Sequence, residues 1–257
     1  MNQQAPTRGG VSVEARGVRK SFGAQQVLQG VNLSVKAGEI FAVMGPSGSG
    51  KSVLLKQIIG LETPDAGEVL INGDPVHGED SVVFDKYRVA MVFQSGALLN
   101  SLTVADNVGL YLSEHRLKKP EAIREIVAEK LELVGLKGIE HKFPSELSGG
   151  MKKRVAIARA LVIEPQLILY DEPTSELDPL SAVTVIEEIL SLNQRIGVTS
   201  IVVSHDRDLA FGIADRIAII HEGTILFAGT PAEVKASREP MIQQFITADF
   251  KKETLTA

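Results

Sequence analysis

Gly45-Pro46-Ser47-Gly48-Ser49-Gly50-Lys51-Ser52 decides how the rest of the chain is read. Gly45, Gly50, Lys51 and Ser52 stand at the spacing of a phosphate-binding P-loop. The flanks suit that reading. Residues 40–44 form a short apolar run, as a strand would, and residues 51–60 look like a helix stopped at Gly60. Glycines at these positions let Ser47, Gly48, Ser49 and neighbouring backbone N–H groups turn inward around a polyphosphate. The helix start adds favourable partial charge there. Lys51 is placed to neutralise terminal phosphates, and the Ser52 hydroxyl to ligate Mg²⁺.

The bulk properties narrow the classes around this loop. The chain has 257 residues, enough for one large domain with a subdomain. Hydrophobic residues make up 44% and charged residues 23%, as in an ordinary globular protein. The net charge of -5 speaks against a broad nucleic-acid surface, so no nucleic-acid partner is expected. With Cys at 0, disulfide and thiolate-metal chemistry are excluded. Residues 1–10 are polar and do not resemble a signal peptide. The apolar runs at 167–170 and 217–220 are too short to cross a bilayer, so any membrane role needs a partner.

Outward from the loop, 11–18 and 27–35 alternate apolar and polar residues and read as antiparallel strands. Further strands are expected at 68–71 and 89–93. From about 104 to 164 the pattern turns helical, with Ile123, Ile126, Leu131 and Val134 near helical spacing. Strands then return at 167–170, 200–203, 217–220 and 224–227, with helices at 180–196 and 206–213 between them. Thr230-Pro231-Ala232-Glu233 reads as the capped start of another helix. Strands alternating with helices imply a mostly parallel sheet covered on both faces, here with a helical insertion.

Leu167-Ile168-Leu169-Tyr170-Asp171-Glu172 is an apolar run ending in two carboxylates. Alone, it reads as a strand closing in a solvated acidic turn. Beside a P-loop, Asp171 becomes the acid near the metal's water shell and Glu172 the general base for an attacking water.

Leu147-Ser148-Gly149-Gly150-Met151, taken with the P-loop and Asp171-Glu172, resembles the ABC transporter ATPase family from about residue 11 to 234. The resemblance implies an α/β fold: a P-loop NTPase (RecA-like) core, an N-terminal antiparallel β-subdomain and an inserted helical subdomain at about 95–164. The whole ABC ATPase domain then spans 11–247, between a flexible N-terminus (1–10) and a C-terminal tail (248–257). It implies ATP and Mg²⁺ as cofactors and two copies sandwiching two nucleotides. Ser148, Gly149 and Gly150 then face the partner's γ-phosphate. Gln94 matches the loop that senses Mg²⁺ and meets the membrane subunit. Asp178 matches the loop that touches the opposite copy, His205 the switch histidine, and Phe22 the aromatic that stacks on adenine. Two positions depart from the family pattern: Met151 stands where Gln is usual, and Glu176 where Ala or Gly is common.

Residues 93–104 (Phe-Gln-Ser-Gly-Ala-Leu-Leu-Asn-Ser-Leu-Thr-Val), 112–115 and 144–154 resemble the ATPases of Mla and Mce lipid-transport systems, the MlaF-like group. That likeness implies powering of phospholipid transport between inner and outer membranes, from a peripheral position on the cytoplasmic face of the inner membrane. The implied partners are a second copy, an integral membrane permease (MlaE-like), an Mce-domain lipid-binding protein and a small STAS-domain protein. Two alternatives stay open: an importer ATPase for amino acids or another small polar solute, and, more remotely, a soluble ABC-type ATPase. Met241, Ile242, Phe245 and Ile246 form a helical stripe expected to pack on the chain's own domain. His77, His115, His141 and His221 lack metal-ligand spacing and are expected at the surface or in loops.

Overall fold

The computed structural model describes residues 9–247. The expectations for the tail at 248–257, and for most of the first ten residues, lie outside the described residues.

The chain opens with a long antiparallel pair, β1 (Val13–Phe22) and β2 (Gln25–Val35). Both alternate buried and exposed residues, as the sequence pattern requires of half-buried strands. β3 (Ile40–Met44) is buried throughout and leads into the P-loop and α1 (Lys51–Ile58). Gly60, at φ +79°, takes the left-handed turn that ends this helix. β4 (Ala66–Ile71) and the two-residue β5 (Asp74–Pro75) complete a four-stranded sheet in the order β2-β1-β4-β5. The short α2 (Val83–Lys86) then precedes β6 (Val89–Val92).

No strand appears between β6 and residue 167 among the described residues. This stretch holds α3 (Val104–Glu114), α4 (Pro120–Leu133) and α5 (Gly149–Leu161). Val108, Leu112, Val127 and Leu131 bury their side chains in a common core with α5. Gly109 permits the close crossing of α3 and α4, because a Cβ there would lie 2.8 Å from Ile123 Cγ2.

The second half supplies β7 (Leu167–Asp171), α6 (Pro179–Ile196), β8 (Thr199–Ser204), α7 (Arg207–Ile213), β9 (Arg216–His221) and β10 (Thr224–Gly229). α8 (Pro231–Ala236) and α9 (Pro240–Thr247) close the described chain. The large sheet runs β10-β9-β3-β8-β7-β6, parallel except for the β9–β10 hairpin. Period-two alternation splits its side chains between two cores. Ile40, Ala42, Met44, Ile168, Tyr170, Val202, Ile217 and Ile219 face the helical side. Phe41, Val43, Leu167, Leu169, Ile201, Val203, Ala218 and Ile220 face α1 and the antiparallel sheet. A sheet buried on both faces explains why its strands read as unbroken apolar runs.

The capping chemistry also follows the sequence. Thr230 accepts from the Glu233 N–H while Glu233 accepts from the Thr230 N–H at 2.7 Å. Ile242 is buried, and Phe245 and Ile246 pack on the helical-side core. His221 ends the strand β9, and His77 lies half-buried with Nε2 2.7 Å from the Gln57 carbonyl.

Candidate active site

The parallel strands β3, β7 and β8 end side by side, so the residues after each converge at one edge. The P-loop leaves β3. The first-turn N–H groups of α1 have no partner within the helix and point back at this edge. Glycine is required by space as well as conformation. Gly50 has φ +101°, and a Cβ there would lie 2.6 Å from Leu28 Cδ2 and 2.9 Å from the Val27 carbonyl. A Cβ on Gly45 would lie 2.2 Å from the Ile220 carbonyl. Gly48 has nothing within 4 Å on that side, so the loop's open face stays clear. β2 thus lies backbone-close to the P-loop. It also touches the β9–β10 turn, where a Gly223 Cβ would meet the Val27 carbonyl at 2.4 Å.

A cleft of about 400 Å³ opens over this loop. Ser47, Gly48, Gly50, Lys51 and Ser52 form its floor, with Gln94, Glu172 and His205 opposite. Lys51 is only 6% exposed. Its ammonium donates to the Gly45 carbonyl at 2.8 Å and the Pro46 carbonyl at 3.1 Å, and lies 3.8 Å from Glu172 Oε1. Burial pulls its pKa below the usual lysine value, with Glu172 and Asp171 opposing. Ser52 Oγ donates to Asp171 Oδ1 at 2.8 Å. Burial raises the Asp171 pKa, the Ser52 hydrogen bond opposing and neighbouring Glu172 adding to the rise. A carboxylate disfavoured by burial, one hydroxyl away from a polyphosphate cradle, suits a cation.

Glu172 takes the left-handed backbone region at φ +49°. One carboxylate oxygen, Oε2, lies 2.8 Å from His205 Nδ1 and also accepts from the His205 N–H and Ser204 Oγ, each at 3.3 Å. A carboxylate only accepts, so the shared proton sits on Nδ1. Oε1 faces Lys51 and the cleft.

This geometry fits a nucleoside triphosphate with its divalent cation. The glycine cradle and buried Lys51 match polyphosphate charge. Ser52 Oγ and the Gln94 side chain could ligate Mg²⁺ here, with Asp171 placed to hold its water shell. No group of three His, Cys, Asp or Glu residues that could by itself hold a metal ion occurs among the described residues. Mg²⁺ needs none here, since phosphates and water complete its shell.

A family profile described as ABC transporter matches residues 28–175, more than half of the chain. The chain belongs to the ABC transporter family. As an ABC ATPase it binds ATP with Mg²⁺ and hydrolyses it to drive transport, and cassettes of this kind dimerise and work with membrane permeases. It is 39% identical over 239 residues to the intermembrane phospholipid transport ATP-binding protein MlaF of Haemophilus influenzae, covering 92% of this chain and 90% of that protein. An ATP-binding protein of Mycobacterium leprae named for ribonucleotide transport, mkl, is 41% identical over 92% of this chain and 69% of its own length. An Fe(3+) import ATP-binding protein of Agrobacterium fabrum, FbpC, is 44% identical over 94% of this chain and 66% of its own. A solved dimeric ATP-binding cassette in a post-hydrolysis state with ADP and Pi matches with a TM-score of 0.77 and 34% identity, over 85% of this chain and 98% of that one.

The structure gathers Lys51, Ser52, Gln94, Asp171, Glu172 and His205 of the ABC ATPase into one cleft. Three other expected sites stand apart from it. Ser148 caps α5 through the Met151 N–H, and Asp178 caps α6 through the Ser181 N–H at 3.0 Å. These two helix starts touch each other, since a Gly150 Cβ would lie 3.0 Å from Ser181 Cβ. Phe22 is exposed at the end of β1, its ring 5.3 Å from Lys20 Nζ, while Gln25 and Val27 of β2 wall the cleft instead. Sequence reasoning overlooked Lys153. It lies 6% exposed on α5 and donates to the Gln94 carbonyl, the Glu172 carbonyl at 3.4 Å and Ser175 Oγ at 3.2 Å. The signal was present: Lys153 falls on the buried stripe with Gly150, Ile157 and Ala160.

Proposed function

We propose that this chain powers movement of a phospholipid or related lipid between inner and outer membranes, through a separate permease. One observation carries the lipid reading: the similarity to the Haemophilus influenzae phospholipid-transport ATPase extends over nine-tenths of both chains. The proposed assembly is a pair of these chains on the cytoplasmic face of the inner membrane, bound to a permease, an Mce-domain protein and a STAS-domain protein. No helix among the described residues is long and apolar enough to cross a membrane, so the path for lipid belongs to partners. The second reading, import of a small solute, draws on the iron-import relative. That similarity covers only two-thirds of the relative's length.

In the proposed mechanism, Lys51 moves from the loop carbonyls to the β and γ phosphates, leaving Glu172 Oε1 to take the proton of an attacking water. His205 holds the other Glu172 oxygen and presents its far ring edge toward the γ-phosphate. Ser52 and Gln94 would hold Mg²⁺, with Asp171 on its water shell, and the bound ion would neutralise charge that develops in transfer. Ser148, Gly150 and the Asp178 loop cover the nucleotide of the second copy, because one chain leaves the outer face of the cleft open.

Two measurements test these readings. Glu172→Gln is expected to keep ATP binding and lose about 10²–10⁴-fold in turnover; unchanged turnover sinks the base assignment. Gentle purification from solubilised membranes, followed by mass spectrometry, is expected to recover a permease, an Mce-domain protein and phospholipid. A permease with a small-solute binding protein instead ends the lipid reading.

A further inference from the structure

We infer that Lys153 is a positioning residue that fixes Gln94 and Glu172 to the helix carrying the Ser148–Gly150 motif. The inference rests on the roles proposed above for those two residues.

The three N–H bonds of a lysine ammonium match the three acceptors around Lys153. They come from two segments: the loop after β6, and the turn after β7 in which Ser175 itself bonds the Glu172 carbonyl. A buried ammonium is costly to desolvate, and an apolar side chain would fill the same space at less cost. What the ammonium adds is direction.

That direction matters most at Glu172. A left-handed residue other than glycine is strained and persists only where its surroundings over-determine it. Here the Glu172 N–H donates to the Val203 carbonyl at 2.9 Å. Its carbonyl accepts from Ser175 Oγ at 2.8 Å, from the Ser175 N–H at 3.1 Å and from Lys153 at 3.4 Å. Without Lys153 the Glu172 carbonyl keeps only the two donors of its own turn, from Ser175, and the turn that sets the carboxylate's approach loses its tie to α5. Misplacing a catalytic group by 1 Å is enough to cost about 10²-fold.

Gln94 is secured along the same helix face. Lys153 takes its carbonyl, and two turns later Arg159 donates to the Gly96 carbonyl at 2.8 Å and the Ala97 carbonyl at 2.7 Å. Between them Ala156 Cβ lies 3.6 Å from where a Gly96 Cβ would sit. The loop bearing Gln94 is thus fastened to α5 at both ends. A shift of α5, whose start is proposed to meet the opposite nucleotide, carries Gln94 with it and pulls on Glu172.

The test uses the full chain with Lys153→Met, which keeps bulk but no donor, and Lys153→Gln, which keeps a shorter amide donor. Turnover number, KM for ATP, the Mg²⁺ concentration for half-maximal activity and the thermal midpoint are read together. Positioning predicts at least a tenfold fall in kcat for Lys153→Met, KM within about threefold, and half-saturation by Mg²⁺ raised severalfold. Lys153→Gln is expected to lie between it and the native chain. Native kcat in either folded variant overturns the inference. So does failure of both to fold, which makes the role purely structural. Glu172→Gln run alongside separates the failures. If that variant stays active, the base assignment fails; if it is dead while the Lys153 variants live, only the positioning role fails.

Discussion

Glu176 offers a two-variant test of backbone strain. It stands in the left-handed region at φ +65°, one residue after Ser175, on an exposed stretch before α6. A side chain in that region costs about 1–2 kcal/mol, which glycine avoids. Glycine gives back about 0.4–1 kcal/mol through its looser unfolded chain. The expected net gain of Glu176→Gly over Glu176→Ala is about 0.5–1 kcal/mol. Alanine is the proper reference because it removes the same carboxylate while keeping the Cβ. For a chain of this size the difference corresponds to about 1–4 °C in thermal midpoint. The carboxylate has its own effect: Glu176 is the foremost group favouring the charged form of Lys153. Exposure limits that effect to about 0–1 kcal/mol, read from the native chain against Glu176→Ala. Both comparisons need only thermal unfolding without nucleotide. Glu176→Gly no more stable than Glu176→Ala would refute the strain argument.

Other consequences follow from single positions. Gly50→Ala forces a Cβ against Leu28 and the Val27 carbonyl at a positive φ; a loss of about 2–4 kcal/mol and of ATP retention is expected from unfolding curves and nucleotide binding. Glu222 and Gly223 form the two-residue β9–β10 turn with φ +46° and +74°, so Glu222→Asn is expected to add about 0.5 kcal/mol, seen as a higher thermal midpoint. The Thr230 N–H and hydroxyl hold the Glu233 pKa below its ordinary 4.5. A lowered carboxyl stabilises above its unfolded pKa and stops doing so as pH falls through its folded one. Glu233→Ala is therefore expected to lower the thermal midpoint at neutral pH, with the gap to the native chain closing below about pH 4.5. A gap that persists in acid would show that the carboxylate is not its source.

Much of this architecture was legible because local rules and tertiary burial agree. The run at 40–44 is a strand in full, and Gly197, at φ +66°, ends α6 where the reading stopped the helix. The P-loop and the Asp171-Glu172 pair carry their chemistry in contiguous residues, so spacing alone locates them. β5 and α2 went unseen because two- and four-residue elements carry no period. The walls at Gln25 and Val27 belong to a strand whose closeness to the P-loop is set by sheet packing. Lys153 lay hidden for a related reason: its partners come from 59, 19 and 22 residues away, and no local pattern joins them.

The meeting of Val27, Gly50 and Gly223 bears on the order in which the chain becomes competent. These backbones touch with no side chain between them, and Gln29 N–H donates to the Gly223 carbonyl at 2.8 Å across 194 residues. Contacts of such long separation form late, because the intervening chain must first be brought together. The phosphate loop is complete in sequence once residue 52 is made, yet one of its supporting walls is braced by a turn translated far later. Emerging chains cut before residue 223 are therefore predicted to hold ATP poorly, and those extended past β10 to hold it well. Equal retention on immobilised ATP by both lengths would contradict this. On this reading the nascent chain stays unable to capture nucleotide until nearly all of it exists, which keeps a half-made motor from engaging its fuel.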